Sequence, residues 1–156
     1  MKISLIVVGR LRQGPEEVLI KDYLTRFERI GRGMGLGPVS IIEVEDKKGG
    51  GKAGEAALLE KALPDGAVLV VLDERGKLIS SPDFARKLAN WRDQSSRELV
   101  FMIGGAGGLE PALLARADFS LSFGKMVWPH MLARVMLCEQ LYRGASILSN
   151  APYHRA

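Results

Sequence analysis

The apolar residues of this chain come in short bursts separated by amphipathic stretches. Residues 2–8 form a near-continuous apolar run ended by Gly9, the pattern of a buried strand. Pro15, Glu16 and Glu17 suit the first turn of a helix, and Leu19, Tyr23, Phe27 and Ile30 then recur at helical spacing. Gly31, Gly33, Gly35 and Gly37 interrupt that pattern, and residues 39–44 read as a second strand. A loop is expected over 45–54, carrying Lys47, Lys48 and Lys52 among glycines, followed by a short helix over 55–63. That basic loop is either a solvated linker or a phosphate contact. Residues 67–72 are aliphatic throughout, as in a central parallel strand covered on both faces. Ser81 before Pro82 signals a helix running to about Gln94. A strand over 99–103, a short helix over 111–117, a strand over 118–123, a helix over 129–148 and a tail over 150–156 complete the pattern.

Strands and helices therefore alternate, which predicts an α/β fold with a mostly parallel sheet. The 156 residues suit one domain over 1–156, and neither a repeat nor a dividing linker is evident. Cys138 is the single cysteine, which excludes an internal disulfide. With only His130 and His154 beside it, no metal site is expected. No apolar run reaches membrane-spanning length, and the first is too short for a signal peptide, so a cytoplasmic protein is expected. The formal net charge of +4 permits a polyanionic partner without requiring one.

Ligands of open parallel sheets bind at the carboxyl ends of the strands. Three segments fall there: 72–77, 104–108 and 124–128. All three contain glycine, which admits backbone close to a ligand or simply serves a turn. Nucleotide motifs fail on inspection. Gly9 and Gly14 have phosphate-loop spacing, but Pro15 and Glu16 occupy the lysine and hydroxyl positions. A dinucleotide fingerprint starting at Gly105 meets Glu110 where its third glycine belongs. Ser146, flanked by Ala145 and Ile147, does not form a hydrolase elbow.

In the last helix Glu139, Arg143 and Ser146 share a polar face, with the first two spaced for an i,i+4 pair. Arg134 points instead among Met131, Cys138, Leu141 and Ala145, so it requires an ion pair, a subunit interface or a substrate contact. The broad apolar arc of this helix favours a homodimer. The tail residues Tyr153, His154 and Arg155 offer stacking, titration near neutral pH and phosphate binding, respectively, or are incidental.

Several segments together carry a resemblance. They are Leu72-Asp73-Glu74-Arg75-Gly76-Lys77, Ser80-Ser81, Phe84-Ala85, Ile103-Gly104-Gly105, Gly108-Leu109, Pro129-His130, Leu132-Ala133-Arg134-Val135, Glu139-Gln140-Leu141-Tyr142-Arg143 and Pro152-Tyr153-His154-Arg155. Over nearly its whole length the chain resembles the bacterial ribosomal RNA large subunit methyltransferase H family, of the SPOUT class. The resemblance implies an α/β fold with a C-terminal trefoil knot, a homodimer, and S-adenosylmethionine as methyl donor. It also implies methylation at N3 of a pseudouridine in 23S rRNA, on the assembled ribosome. By the same resemblance, Leu72, Gly104, Phe123, Gly124, Lys125, Met126, Val127 and Trp128 hold the cofactor, and Gly105 is expected to complete the pocket. Tyr153, His154 and Arg155 are expected to face the acceptor, with His154 accepting its proton. The chain departs from the family at Ala106-Gly107, where Pro-Glu is usual. A non-catalytic RNA-binding module and a small-molecule-binding regulatory dimer are the competing readings, separable by cofactor binding.

Overall fold

A computed structural model describes residues 1–94 and 96–155. Ala156, the end of the expected tail, lies outside the described residues. Five strands form one sheet: β1 (Lys2–Val8), β2 (Val39–Val44), β3 (Val68–Leu78), β4 (Glu98–Ile103) and β5 (Phe119–Ser122). Their order is β2-β1-β4-β3-β5, and every neighbouring pair is parallel. Parallel strands need crossovers, which here include α1 (Pro15–Gly31), α2 (Gly51–Ala62), α3 (Ser81–Asp93) and α4 (Pro111–Arg116). The chain ends in α5 (His130–Leu148) and a short tail.

Side chains alternate across a strand, so each strand feeds two cores. Ile3, Leu5 and Val7 of β1 and Leu99, Phe101 and Ile103 of β4 pack with Ile20 and Phe27 of α1, Leu88 of α3, and Leu137 and Leu141 of α5. Their neighbours Ile6, Val8, Val100 and Met102 pack on the opposite face with Leu59 of α2 and Leu113 of α4. Burial on both faces accounts for the unbroken apolar runs of β1 and β4.

Several details differ from expectation. The helix expected from 55 begins at Gly51, so the loop after β2 is shorter than its glycines suggested. Ser80, not Ser81, caps α3: its hydroxyl accepts a hydrogen bond from the Asp83 N–H at 3.2 Å, whereas Ser81 donates to Gln140 at 2.7 Å. Leu19, placed on the apolar face of α1, is 41% exposed, and Ile20 takes the core position. Strand β3 continues past Leu72 to Leu78. Both Leu72 and Lys77 stand opposite Leu121, so residues 73–76 arch out between two stretches of regular pairing. Glycine is required at the base of that arch. A Cβ on Gly76 would lie 2.7 Å from the Ser120 carbonyl oxygen.

Candidate active site

Because all five strands are parallel, their carboxyl ends share one edge, and a cleft of about 350 Å³ opens there. Its walls come from three places: the arch after Leu72, the 104–108 turn after β4, and residues 123–128 after β5. The turn is closed by a hydrogen bond from Gly108 N–H to the Gly105 carbonyl at 3.0 Å. Gly104 is buried beneath it. A Cβ there would meet the Gly108 carbonyl carbon and oxygen at 2.7 Å, so the turn folds back only because residue 104 has no side chain.

The arch and the segment after β5 are tied together by Ser122. Its hydroxyl accepts a hydrogen bond from the Gly124 N–H and lies 3.0 Å from the Glu74 carbonyl, to which it can donate. Leu72, Gly104, Gly105, Phe123, Gly124, Met126, Val127 and Trp128 all line the cleft. Lys125, expected with them, is exposed and stands outside the lining, although Gly124 and Met126 on either side of it belong to it. Lys52, expected in the basic loop, reaches in from α2, and His130 at the start of α5 is a lining residue that sequence reasoning missed. The Pro129-His130 pair was visible as a helix start, but no spacing rule aims its imidazole at the cleft. Among the described residues there is no group of three or more metal-ligating side chains.

The cleft suits a small ligand with a flat apolar part. Leu72, Phe123 and Trp128 supply apolar surface for a flat base, and the glycine turn brings backbone polar groups alongside. Its volume falls within the range of about 300–1,000 Å³ usual for small-ligand sites. The carboxylate missing at residue 107 has a neighbour from another element: the Glu55 oxygens lie 3.0 and 3.2 Å from where a Gly105 Cβ would stand.

The tail residues are elsewhere on the protomer. The Tyr153 hydroxyl donates to Glu139 Oε1 at 3.1 Å, and the Tyr153 ring lies 4.5 Å from that of Tyr142. Arg143 pairs with Glu139 at 2.6 Å, stacks over Tyr153 and reaches His154 Nδ1 at 3.2 Å. A guanidinium only donates, so Nδ1 accepts and the His154 proton sits on Nε2. Burial, then the nearby Glu139 charge, pushes the Tyr153 phenol up to about 12, which keeps it a donor. The hydrogen bond to Glu139 raises Arg143 further above its usual value. Arg155 is exposed. Ser146, expected on the same polar face, is fully buried with its hydroxyl unpaired.

This cluster borders a second, more apolar groove of about 500 Å³ that shares Leu121, Phe123 and Gly124 with the cleft and ends at Tyr23, Glu139 and Gln140. Phe123 and Gly124 therefore form a wall between the two concavities.

Arg134, 1% exposed, resolves to an ion pair. Nη1 donates to Glu43 at 3.0 Å, and Nη2 reaches the Val8 and Gly9 carbonyls at 3.4 and 3.1 Å. It anchors the loop after β1 to α5. Cys138 nearby is inert: burial pushes its thiol up to about 12, against the Arg134 charge, which pulls the other way.

Residues 1–154 match the family model described as "Predicted SPOUT methyltransferase". The chain is 66% identical over 155 residues to the ribosomal RNA large subunit methyltransferase H of Roseobacter denitrificans, covering 99% of both chains. It is 67% identical, with the same coverage, to the protein of that name from Dinoroseobacter shibae. In fold it is similar to a probable methylase family protein from Haemophilus influenzae, with a TM-score of 0.52 at 14% identity, covering 99% of this chain and 70% of that one. On a parallel sheet whose carboxyl edge carries this cleft, and with relatives matched end to end, the chain belongs to the SPOUT methyltransferases, in the ribosomal RNA large subunit methyltransferase H family.

Proposed function

We propose that this protein transfers a methyl group from S-adenosylmethionine to N3 of a pseudouridine in the 23S rRNA of the assembled ribosome, acting as a homodimer. The observation that carries the reading is the cleft at the sheet's carboxyl edge, where Leu72, Gly104, Gly105, Phe123, Gly124, Met126, Val127 and Trp128 converge. Full-length similarity to enzymes named for this activity supports it. Bound in the cleft, S-adenosylmethionine supplies an electrophilic methyl group on its sulfonium. Leu72, Phe123 and Trp128 hold the adenine, and the 104–108 turn offers backbone hydrogen bonds to its edge. Methyl transfer between two held reactants is mainly a matter of alignment, so these residues act by positioning and by excluding water.

The acceptor nitrogen carries a proton that must leave. Tyr153, His154 and Arg155 are proposed as the wall facing the acceptor. In the geometry described, His154 presents Nε2–H and so donates a hydrogen bond, suited to a base carbonyl on which negative charge develops. Accepting the N3 proton requires His154 first to release Arg143.

Within one protomer the tail docks beside Glu139, nine residues along α5 from His130 in the cleft, about 14 Å at 1.5 Å per residue. A second subunit closes that gap. Met126, Val127, Trp128 and Leu132 expose apolar surface at the cleft mouth, and Leu19 and Leu78 do so at the adjoining groove. A homodimer burying this surface brings the partner's tail to the cleft. We further propose that the C-terminal part is threaded as the trefoil knot the resemblance implies. The decisive experiment is mass mapping of 23S rRNA from cells lacking the protein. One pseudouridine should lose a methyl group and regain it on complementation; unchanged rRNA would refute the reading.

A further inference from the structure

We propose that Arg10, Arg12, Lys47, Lys48 and Lys52 form a basic lip that grips the RNA backbone beside the cleft, a proposal that rests on the acceptor being RNA. The sheet places them together. Strand β1 ends at Val8 beside Val44 of β2 and, through Val7, beside Ile103 of β4. The loops that follow β1 and β2 therefore emerge on the same edge as the cleft, which occupies the ends of β4, β3 and β5. Arg10 and Arg12 lie in the first loop and Lys47 and Lys48 in the second, while Lys52 on α2 joins the lip to the cleft wall.

All five side chains are exposed, and among the described residues none makes an ion pair. Eight cations elsewhere, Lys2, Lys21, Arg26, Arg75, Arg86, Arg92, Arg134 and Arg143, each have a carboxylate partner. Of the carboxylates at this edge, Glu43, Asp46 and Asp73 are engaged, and Glu74 lines the cleft itself. Glu43 accepts from Arg134 and from the Leu11 N–H, and Asp46 accepts from the Lys48 N–H and is packed against Gly54. Glu45 is exposed, and Glu55 is turned toward Gly105.

The lip is also built rather than loose. The Gly9 N–H donates to the Val44 carbonyl at 2.9 Å, and Glu43 bridges Leu11 to the buried Arg134. The loop after β1 is thus fixed relative to α5 and the cleft, and Asp46, accepting from the Lys48 N–H, shapes the turn of the second. A row of free cations fixed beside a site for one base is the arrangement that positions a polyanion's phosphates while leaving base recognition to the cleft.

The test compares the parent with R10Q/R12Q/K47Q/K48Q and with the charge-preserving R10K/R12K/K47R/K48R. Lys52 is left in place because it also lines the cleft. S-adenosylmethionine binding is read by calorimetry, and methyl transfer to unmodified ribosomes is followed over a range of salt. The glutamine variant should bind S-adenosylmethionine as the parent does, while its KM for ribosomes rises about tenfold or more. Its plot of log(kcat/KM) against log salt should flatten by about 3 units, since each lost phosphate contact removes about 0.7–0.9. The charge-preserving variant should behave like the parent. Parent-like KM and salt slope in the glutamine variant, or equal impairment of both variants, would overturn the lip. A parent that binds no S-adenosylmethionine would instead overturn the methyltransferase reading.

Discussion

Replacing Gly104 by alanine adds one methyl group where there is no room for it. The new Cβ would sit 2.7 Å from both the carbonyl carbon and oxygen of Gly108, against an ordinary contact of about 3.5–4.0 Å. The obstacle is backbone, so no side-chain rotation relieves it. The 104–108 turn must open, straining the Gly108–Gly105 hydrogen bond that closes it. Overpacking of this kind costs about 1–3 kcal/mol. If the displaced turn is the one that cradles the cofactor, that cost appears as a loss in S-adenosylmethionine affinity of about 5- to 150-fold. Gly107→Ala is the matched control: its Cβ would meet nothing within 4 Å, and its φ is not positive. Calorimetry on both variants, with thermal unfolding in parallel, separates the cases. Parent-like affinity in Gly104→Ala, or equal losses in both variants, would refute the reasoning.

Removing the buried cation by Arg134→Met strands Glu43 and two carbonyls, and urea unfolding should show a loss of about 2–4 kcal/mol; a change under about 0.5 kcal/mol would contradict the anchoring role. The difference in ultraviolet titration between the parent and Tyr153→Phe should reveal a phenol ionising near pH 12. Because the folded chain holds that proton longer, the stability linked to Tyr153 is present below pH 10 and is lost as pH rises from about 10 toward 12. Cys138 should react with an aromatic disulfide reagent at pH 8 on the order of a thousandfold more slowly than a free thiol, and at the normal rate once unfolded.

The alternating pattern carried most of the architecture. β1 begins and ends where its apolar run does, because it is buried along all but its first residue; β2, half-exposed at the sheet edge, is marked instead by Pro38 before it and the charged Glu45 and Asp46 after it. Gly51 and Lys52 read as loop because glycine is a poor helix former, yet packing of Leu59 carries α2 back to them. The arch at 73–76 was hidden because its residues look like an ordinary turn, and only the repeated pairing with Leu121 distinguishes it from one. At the site, glycine positions and the apolar run after β5 were legible, since close backbone approach and a flat apolar wall each demand particular residues. His130 and Lys52 were not, because which way a side chain at a helix start points depends on packing between distant elements. The tail's chemistry was visible, but its docking on Glu139 and Arg143 depends on a helix face and a chain end meeting in three dimensions.

The most direct test of the central claim is transfer in a purified system. The protein is incubated with methyl-labelled S-adenosylmethionine and ribosomes from cells lacking it, and the label is mapped by mass spectrometry. The account predicts one labelled methyl per large subunit, on N3 of a single pseudouridine of 23S rRNA, and much reduced transfer by Gly104→Ala. Label at another atom or residue, or no transfer by a protein shown to bind S-adenosylmethionine, would contradict it.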